Sequence, residues 1–225
     1  NKAQSSKTGT ADVLIKLGVN IDSSIITIER SIKEAGIGFM MAPNHHPAMR
    51  FVGNVRVELG TPTIFNLLGP LLNPAAVKRQ STGVFHRKWI KPMAESLNNL
   101  GSEMAWVVHG SDGLDELTTT GVTYVAELKN GFVKTFQVTP EDAGLPISKP
   151  EELKGGDAEK NANALKALLE GRSGAYRDIV LLNAASALYI SGKASSLKDG
   201  VKQAGHCIDQ GRAKQALNRL IKITN

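Results

Sequence analysis

The sequence predicts an α/β protein: a largely parallel central sheet flanked by helices, with a β-hairpin appended. Three observations carry this. Short apolar runs suited to buried strands alternate with segments of helical spacing. Asn130-Gly131 stands between two strand-like runs, 122–128 and 132–138, which is a strong hairpin signal. Beyond residue 158 the pattern is helical almost to the end, broken at 171–174 and at Gly192. Residues 1–225 read as one α/β domain.

Taken in order, residues 10–17 place apolar side chains at helical spacing and stop at Gly18. Asp22-Ser23-Ser24 can cap a helix over about 23–35, with Ile25, Ile26, Ile28 and Ile32 on its apolar side. Phe39-Met40-Met41-Ala42 reads as a short buried strand. Pro47 suits the first turn of a helix reaching Leu59. A loop over 60–80 precedes a strand at 81–85, a helix at about 88–100 and a strand at 103–109. Residues 140–157 are loop-like, with three prolines and Gly155-Gly156.

Composition excludes several classes. Apolar residues make up 41% and charged residues 21%, as in ordinary globular proteins. The net charge of +6 is spread along the chain without a block of Lys and Arg, which does not favour nucleic acid and suits an anionic small molecule. The one cysteine, Cys207, permits neither an internal disulfide nor a cysteine-based zinc site, and fits a reducing, cytoplasmic setting. No apolar run is long enough for a membrane span.

The segments that can carry chemistry are polar and rigid. His45-His46-Pro47-Ala48-Met49-Arg50 and Arg56 precede Thr63-Ile64-Phe65-Asn66-Leu67-Leu68-Gly69-Pro70-Leu71-Leu72-Asn73-Pro74. Such loops position ligands. Asp115-Glu116 follows a strand and a turn; cationic groups with an acidic pair suit an anionic substrate held with a divalent metal. By themselves, Asp-Glu pairs are commonly surface turns, and an Asp before a helix, such as Asp157, is more often a cap than a catalyst.

Read in order, Ser5-Ser6-Lys7-Thr8-Gly9-Thr10-Ala11-Asp12, the two segments above, His109-Gly110-x-Asp112-Gly113-x-Asp115-Glu116, Gly155-Gly156-Asp157-Ala158 and Leu182-Asn183-Ala184-Ala185 closely resemble the anthranilate phosphoribosyltransferase family. The match runs along almost the whole chain. The resemblance implies the fold above and a transfer of phosphoribosyl from phosphoribosyl pyrophosphate to the nitrogen of anthranilate, in tryptophan biosynthesis, with Mg²⁺ present. It implies no covalent nucleophile; positioning and electrostatics would suffice. Asp115 and Glu116 resemble the metal pair. Asn1, Arg56, His46 and Met49 resemble the anthranilate-binding residues, Arg56 offering a guanidinium fork to the carboxylate. Asn1, Lys2, Ala3, Gln4, Ser5, Ser6 and Thr10 resemble the donor-binding segment. Asn183 and Asp157 read as structural, and Asn66, Gly69, Pro70 and Asn73 as loop-shaping.

The chain also departs from the family pattern. It holds no Gly-Thr-Gly-Gly-Asp run, no Asn-x-Ser-Thr segment and no Lys-His-Gly before Asn1. It therefore reads as the C-terminal portion, without the small N-terminal helical domain of the family homodimer. Little transferase activity and a compromised dimer contact are expected of it alone. Lys2 and Pro62 stand where arginines are usual, and Leu72 where threonine is usual. Two other readings compete. A pyrimidine-nucleoside phosphorylase-like enzyme is disfavoured by Arg56, and a non-catalytic binding protein by the intact Asp115-Glu116.

Overall fold

The computed structural model describes residues 8–46, 51, 58, 61 and 63–225. The helix expected from Pro47 to Leu59 and the segment before Thr8 lie outside the described residues. The chain forms two compact units: residues 1–61, 154–172 and 207–225, and residues 62–153 with 173–206.

The first unit is helical among its described residues. It contains α1 (Thr10–Lys16), α2 (Ile25–Ala35), the short α3 (Ala42–His45), α6 (Ala158–Leu169) and α9 (Arg212–Thr224). Ser24 caps α2, its side chain accepting from the Thr27 N–H, as the sequence predicts. Gly36 ends α2 in the left-handed region at φ 77°, a conformation that favours glycine. Val19, Ala35 and Leu220 form one small core, joined by Leu217 and Ile221. Ala11, Ile21 and Met41 form another, with Leu14 and Phe39 against it. Of the four α2 isoleucines only Ile28 is buried; Ile25, Ile26 and Ile32 are exposed. The strand expected at 39–42 is not formed: Phe39 and Met40 are irregular and Ala42 opens α3, with Pro43 in its first turn. Pro43 has no N–H to offer a strand ladder but suits a helix start.

The second unit is built on a four-stranded sheet in the order β1-β2-β3-β4, formed by Arg79–Gly83, Met104–Gly110, Thr123–Lys129 and Phe132–Val138. β1 and β2 are parallel, while β2–β3 and β3–β4 are antiparallel. The α/β class holds, and so does the hairpin, with Asn130 and Gly131 both at positive φ as a two-residue turn requires. The sheet itself is mixed, not largely parallel, because the hairpin read as an appendage supplies half of its strands.

Side-chain alternation explains the layers. β2 is buried along nearly its whole length, with Ala105 and Val107 facing one side and Met104, Trp106 and Val108 the other. The first side is covered by α5 (Ile90–Asn99), through Ile90, Met93, Ala94 and Leu97. The second is covered by α7 (Ala175–Ile190), through Leu182 and Ile190. A helix not expected in the 60–80 loop, α4 (Phe65–Leu71), seats Leu67 on the α5 side. Its Gly69-Pro70 pair hides it from a propensity reading. On the α7 side Glu127 is 1% exposed, yet satisfied. Its carboxylate accepts from Trp106 Nε1 at 3.0 Å and pairs with Lys134 Nζ at 2.9 Å. These are its register neighbours across β2 and β4. The hydrogen bond from Lys134 to Glu127, with the attraction between them, pushes the lysine up from its ordinary value. α8 (Leu197–Asp209) follows α7; a Cβ on its Gly200 would lie 2.7 Å from the Ala185 Cα, so that glycine permits close helix packing.

Candidate functional site

The parallel pair β1–β2 ends at Gly83 and Gly110, and the loop 111–122 leaves from there. In open α/β sheets the carboxyl ends of parallel strands are where ligands bind. Asp115 and Glu116 sit in this loop, both exposed.

The loop is held from three directions. First, Asp112 draws it into a compact turn. Its carboxylate accepts from the Leu114 N–H at 3.1 Å and from the hydroxyls of Thr118 and Thr120 at 2.5 and 2.6 Å. Partial burial pushes the Asp112 carboxyl up, but the hydroxyl and backbone bonds together outweigh it and hold the group below its ordinary value. Second, the end of β1 meets the loop at van der Waals range. A Cβ on Gly83 would fall 1.4 Å from the Asp115 carbonyl oxygen, so only glycine fits without displacing the pair. Third, Asn183 on α7 clasps Leu117 at both backbone groups. Its Oδ1 accepts from the Leu117 N–H at 3.1 Å, and its Nδ2 donates to the Leu117 carbonyl at 2.8 Å. Leu117 itself is fully buried in the core with Leu182.

Glu116 is solvent-accessible but crowded by protein. Desolvation raises its carboxyl above the ordinary range, and the negative charge of Asp115 adds to the rise. Tyr176, in the first turn of α7, is raised by burial and by the charge of Glu116. The donor set is therefore two adjacent hard carboxylates whose mutual repulsion a cation would relieve. Among the described residues no cluster of three or more His, Cys, Asp and Glu side chains could cage a metal. Such a pair fits Mg²⁺, which keeps waters and takes its remaining ligands from substrate phosphates.

In the first unit the sequence-predicted residues are less fully described. Thr10 is exposed at the first position of α1. His46 is half-buried at the end of α3, its backbone N–H donating to the Ala42 carbonyl at 3.0 Å. Asn1, Lys2, Ala3, Gln4, Ser5, Ser6, Met49, Arg56 and Pro62 lie outside the described residues. The segment that leads into α1 is anchored: Thr8 Oγ1 donates to the Gly156 carbonyl at 3.0 Å. Gly156 is in turn clasped by Asn161, whose Oδ1 accepts its N–H at 2.8 Å and whose Nδ2 donates to its carbonyl at 3.2 Å. Asp157 caps α6 through the Lys160 N–H at 2.8 Å, as read from the sequence. Asn66 and Asn73 shape their turns, accepting from the N–H groups of Thr63 and Ala75 at 2.9 Å each.

Sequence reasoning missed Gly83, the Thr118 and Thr120 hydroxyls, Tyr176 and the clasp by Asn161. It read Asn183 as structural without seeing what it holds. No local spacing signals these roles, because each partner comes from another element or from across the turn.

A model of the glycosyl transferase family, a/b domain, matches residues 1–214, and the chain belongs to that family. It is 60% identical over 225 residues to an anthranilate phosphoribosyltransferase of Rhodopseudomonas palustris (strain BisB18), covering all of this chain and 66% of that protein. It is 61% identical to one of Parvibaculum lavamentivorans, with the same coverage. The chain thus spans just under two thirds of these relatives. Among solved structures it resembles the anthranilate phosphoribosyltransferase of Thermus thermophilus, with a TM-score of 0.92 and 43% identity over all of this chain and 67% of that one. It also resembles the enzyme of Saccharomyces cerevisiae in complex with PRPP and Mg, with a TM-score of 0.88 and 29% identity over 99% of this chain and 63% of that one.

Proposed function

We propose that this chain forms part of an enzyme that transfers the phosphoribosyl group of phosphoribosyl pyrophosphate to the amino nitrogen of anthranilate, in tryptophan biosynthesis. The observation that carries the reading is the Asp115-Glu116 pair, rigidly presented at the carboxyl ends of β1 and β2 in a chain so similar to named transferases of this kind. The anthranilate nitrogen attacks the anomeric carbon, the bond from that carbon to pyrophosphate oxygen breaks, and the nitrogen releases a proton. Magnesium, when bound, supplies neutralisation of charge on the departing pyrophosphate. Asp115 and Glu116 hold it on this reading. Asn1, Lys2, Ala3, Gln4, Ser5, Ser6 and Thr10 bind the donor, and Arg56, His46, Met49 and Asn1 orient anthranilate. No side chain needs to form a covalent intermediate, so the protein contributes by placing the reactants and excluding water.

No helix among the described residues is long and apolar enough to cross a membrane. We place the activity in the cytoplasm and the protein in a homodimer. The test is loss of anthranilate fluorescence with the intact protein, phosphoribosyl pyrophosphate and Mg²⁺, with pyrophosphate measured in parallel. Equal, magnesium-dependent amounts of anthranilate consumed and pyrophosphate released are expected. Phosphorolysis of a pyrimidine nucleoside without anthranilate consumption would overturn the reading.

A further inference from the structure

We infer that Asn183, together with the absence of a side chain at Gly83, is the positioning device that sets Asp115 and Glu116 for the divalent cation. The inference rests on the metal role proposed above for that pair.

The geometry separates positioning from simple stability. Asp115 and Glu116 sit exposed on a loop, so their placement depends on how the loop backbone is held. Their backbone is fixed instead at each end. At Asp115 the carbonyl lies in the space that any Cβ on Gly83 would occupy. At Leu117, one residue past Glu116, the Asn183 amide takes both the N–H and the carbonyl. A side-chain amide that satisfies both groups of one residue imitates a strand neighbour, and it fixes the direction in which the preceding residue leaves. Asn183 is itself fixed, since Nδ2 also donates to the Ile179 carbonyl one turn back on α7, at 3.0 Å. The rigid helix therefore dictates where Glu116 stands. Two adjacent carboxylates that repel each other need such a frame, because a loose loop would splay them apart before the cation arrives.

Asn183 touches no reacting group on this account, so its loss should act through metal affinity. Outer-shell partners of metal ligands typically contribute 10–100-fold in affinity or activity. The experiment titrates Mn²⁺ into the intact protein by calorimetry in the presence of phosphoribosyl pyrophosphate. It compares wild type with Asn183→Ala, Asn183→Asp and Gly83→Ala, each checked for folding by circular dichroism. Asn183→Ala is expected to weaken Mn²⁺ by about 10-fold or more. Asn183→Asp keeps the acceptor for the Leu117 N–H but sets a carboxylate oxygen against the Leu117 and Ile179 carbonyls, so it should weaken Mn²⁺ as well. Turnover of Asn183→Ala at saturating metal should recover to near wild type, whereas a merely structural role would not yield to added metal. Gly83→Ala reaches the pair from the other side without touching α7, and it should weaken Mn²⁺ likewise, so the test survives if Asn183→Ala does not fold. Mn²⁺ affinity within twofold of wild type in the folded variants would overturn the inference while leaving the metal role intact, provided Asp115→Asn abolishes binding. If Asp115→Asn also binds Mn²⁺ normally, the metal role itself fails and the inference falls with it.

Discussion

Two turns in this molecule are built by the same device and used differently. In the second unit Asn183 clasps the backbone of Leu117 from a helix 66 residues away. In the first unit Asn161 clasps Gly156 from five residues away, on the helix that Asp157 caps. The local clasp completes a helix start, while the distant one ties a loop to the core and so fixes side chains that face solvent. In this pair the short-range clasp shapes a helix start, and the long-range one holds the loop that carries Asp115 and Glu116.

The largest expected effect tests the site itself. Asp115→Asn with Glu116→Gln should lower magnesium-dependent turnover by about 100-fold or more, since it removes both proposed ligands rather than an outer-shell partner. Initial rates against Mg²⁺ concentration check this, with the fold followed by circular dichroism.

Next, the two clasps can be set against each other. Asn161→Ala should cost about 1–2 kcal/mol of stability, measured by urea unfolding, while keeping Mn²⁺ affinity far nearer wild type than Asn183→Ala does. Equal losses of Mn²⁺ affinity in the two variants would erase the distinction.

A third prediction concerns Glu127, the buried carboxylate on β3 whose partner Lys134 lies on the edge strand β4. Lys134→Met removes its cation while leaving the Trp106 bond, and should cost about 1–3 kcal/mol in urea unfolding. The raised lysine means that the pair's contribution is complete below the ordinary lysine range and disappears as pH rises through the raised value. The difference between wild type and variant should therefore shrink only at strongly alkaline pH.

Two loop carboxylates respond oppositely to acid. Asp112 is held below its ordinary value, so it contributes stability above that value and loses it as pH falls through the depressed one. Asp112→Asn should cost about 1 kcal/mol near neutrality, screened by exposure, and nothing at strongly acidic pH. Glu116 is raised, so the folded state favours its protonated form. Its cost to stability appears as pH climbs through the ordinary carboxylate range to the raised value. Mn²⁺ affinity should rise over that same interval as the proton leaves, which a pH series of the titration would show.

Much of this was legible in the sequence where the cause is local. Ser24 capping α2, Asn130-Gly131 turning the hairpin and Asp157 capping α6 each depend on residues a few positions apart. The exposed isoleucines of α2 and the helix hidden in Phe65–Leu71 were not legible, because burial is decided by what the fold brings alongside and Gly69-Pro70 argues against a helix. The Asp115-Glu116 pair stood out by its resemblance to a family motif. The reason it is held so firmly did not, since Gly83 and Asn183 come from a strand and a helix remote in the chain.

The most direct test of the central claim is anomalous diffraction from crystals of the intact protein grown with MnCl₂ and phosphoribosyl pyrophosphate. The account predicts a manganese peak within coordination distance of the Asp115 and Glu116 carboxylates, shared with the donor's pyrophosphate. Donor bound with its manganese held elsewhere, and both carboxylates free of metal, would contradict it.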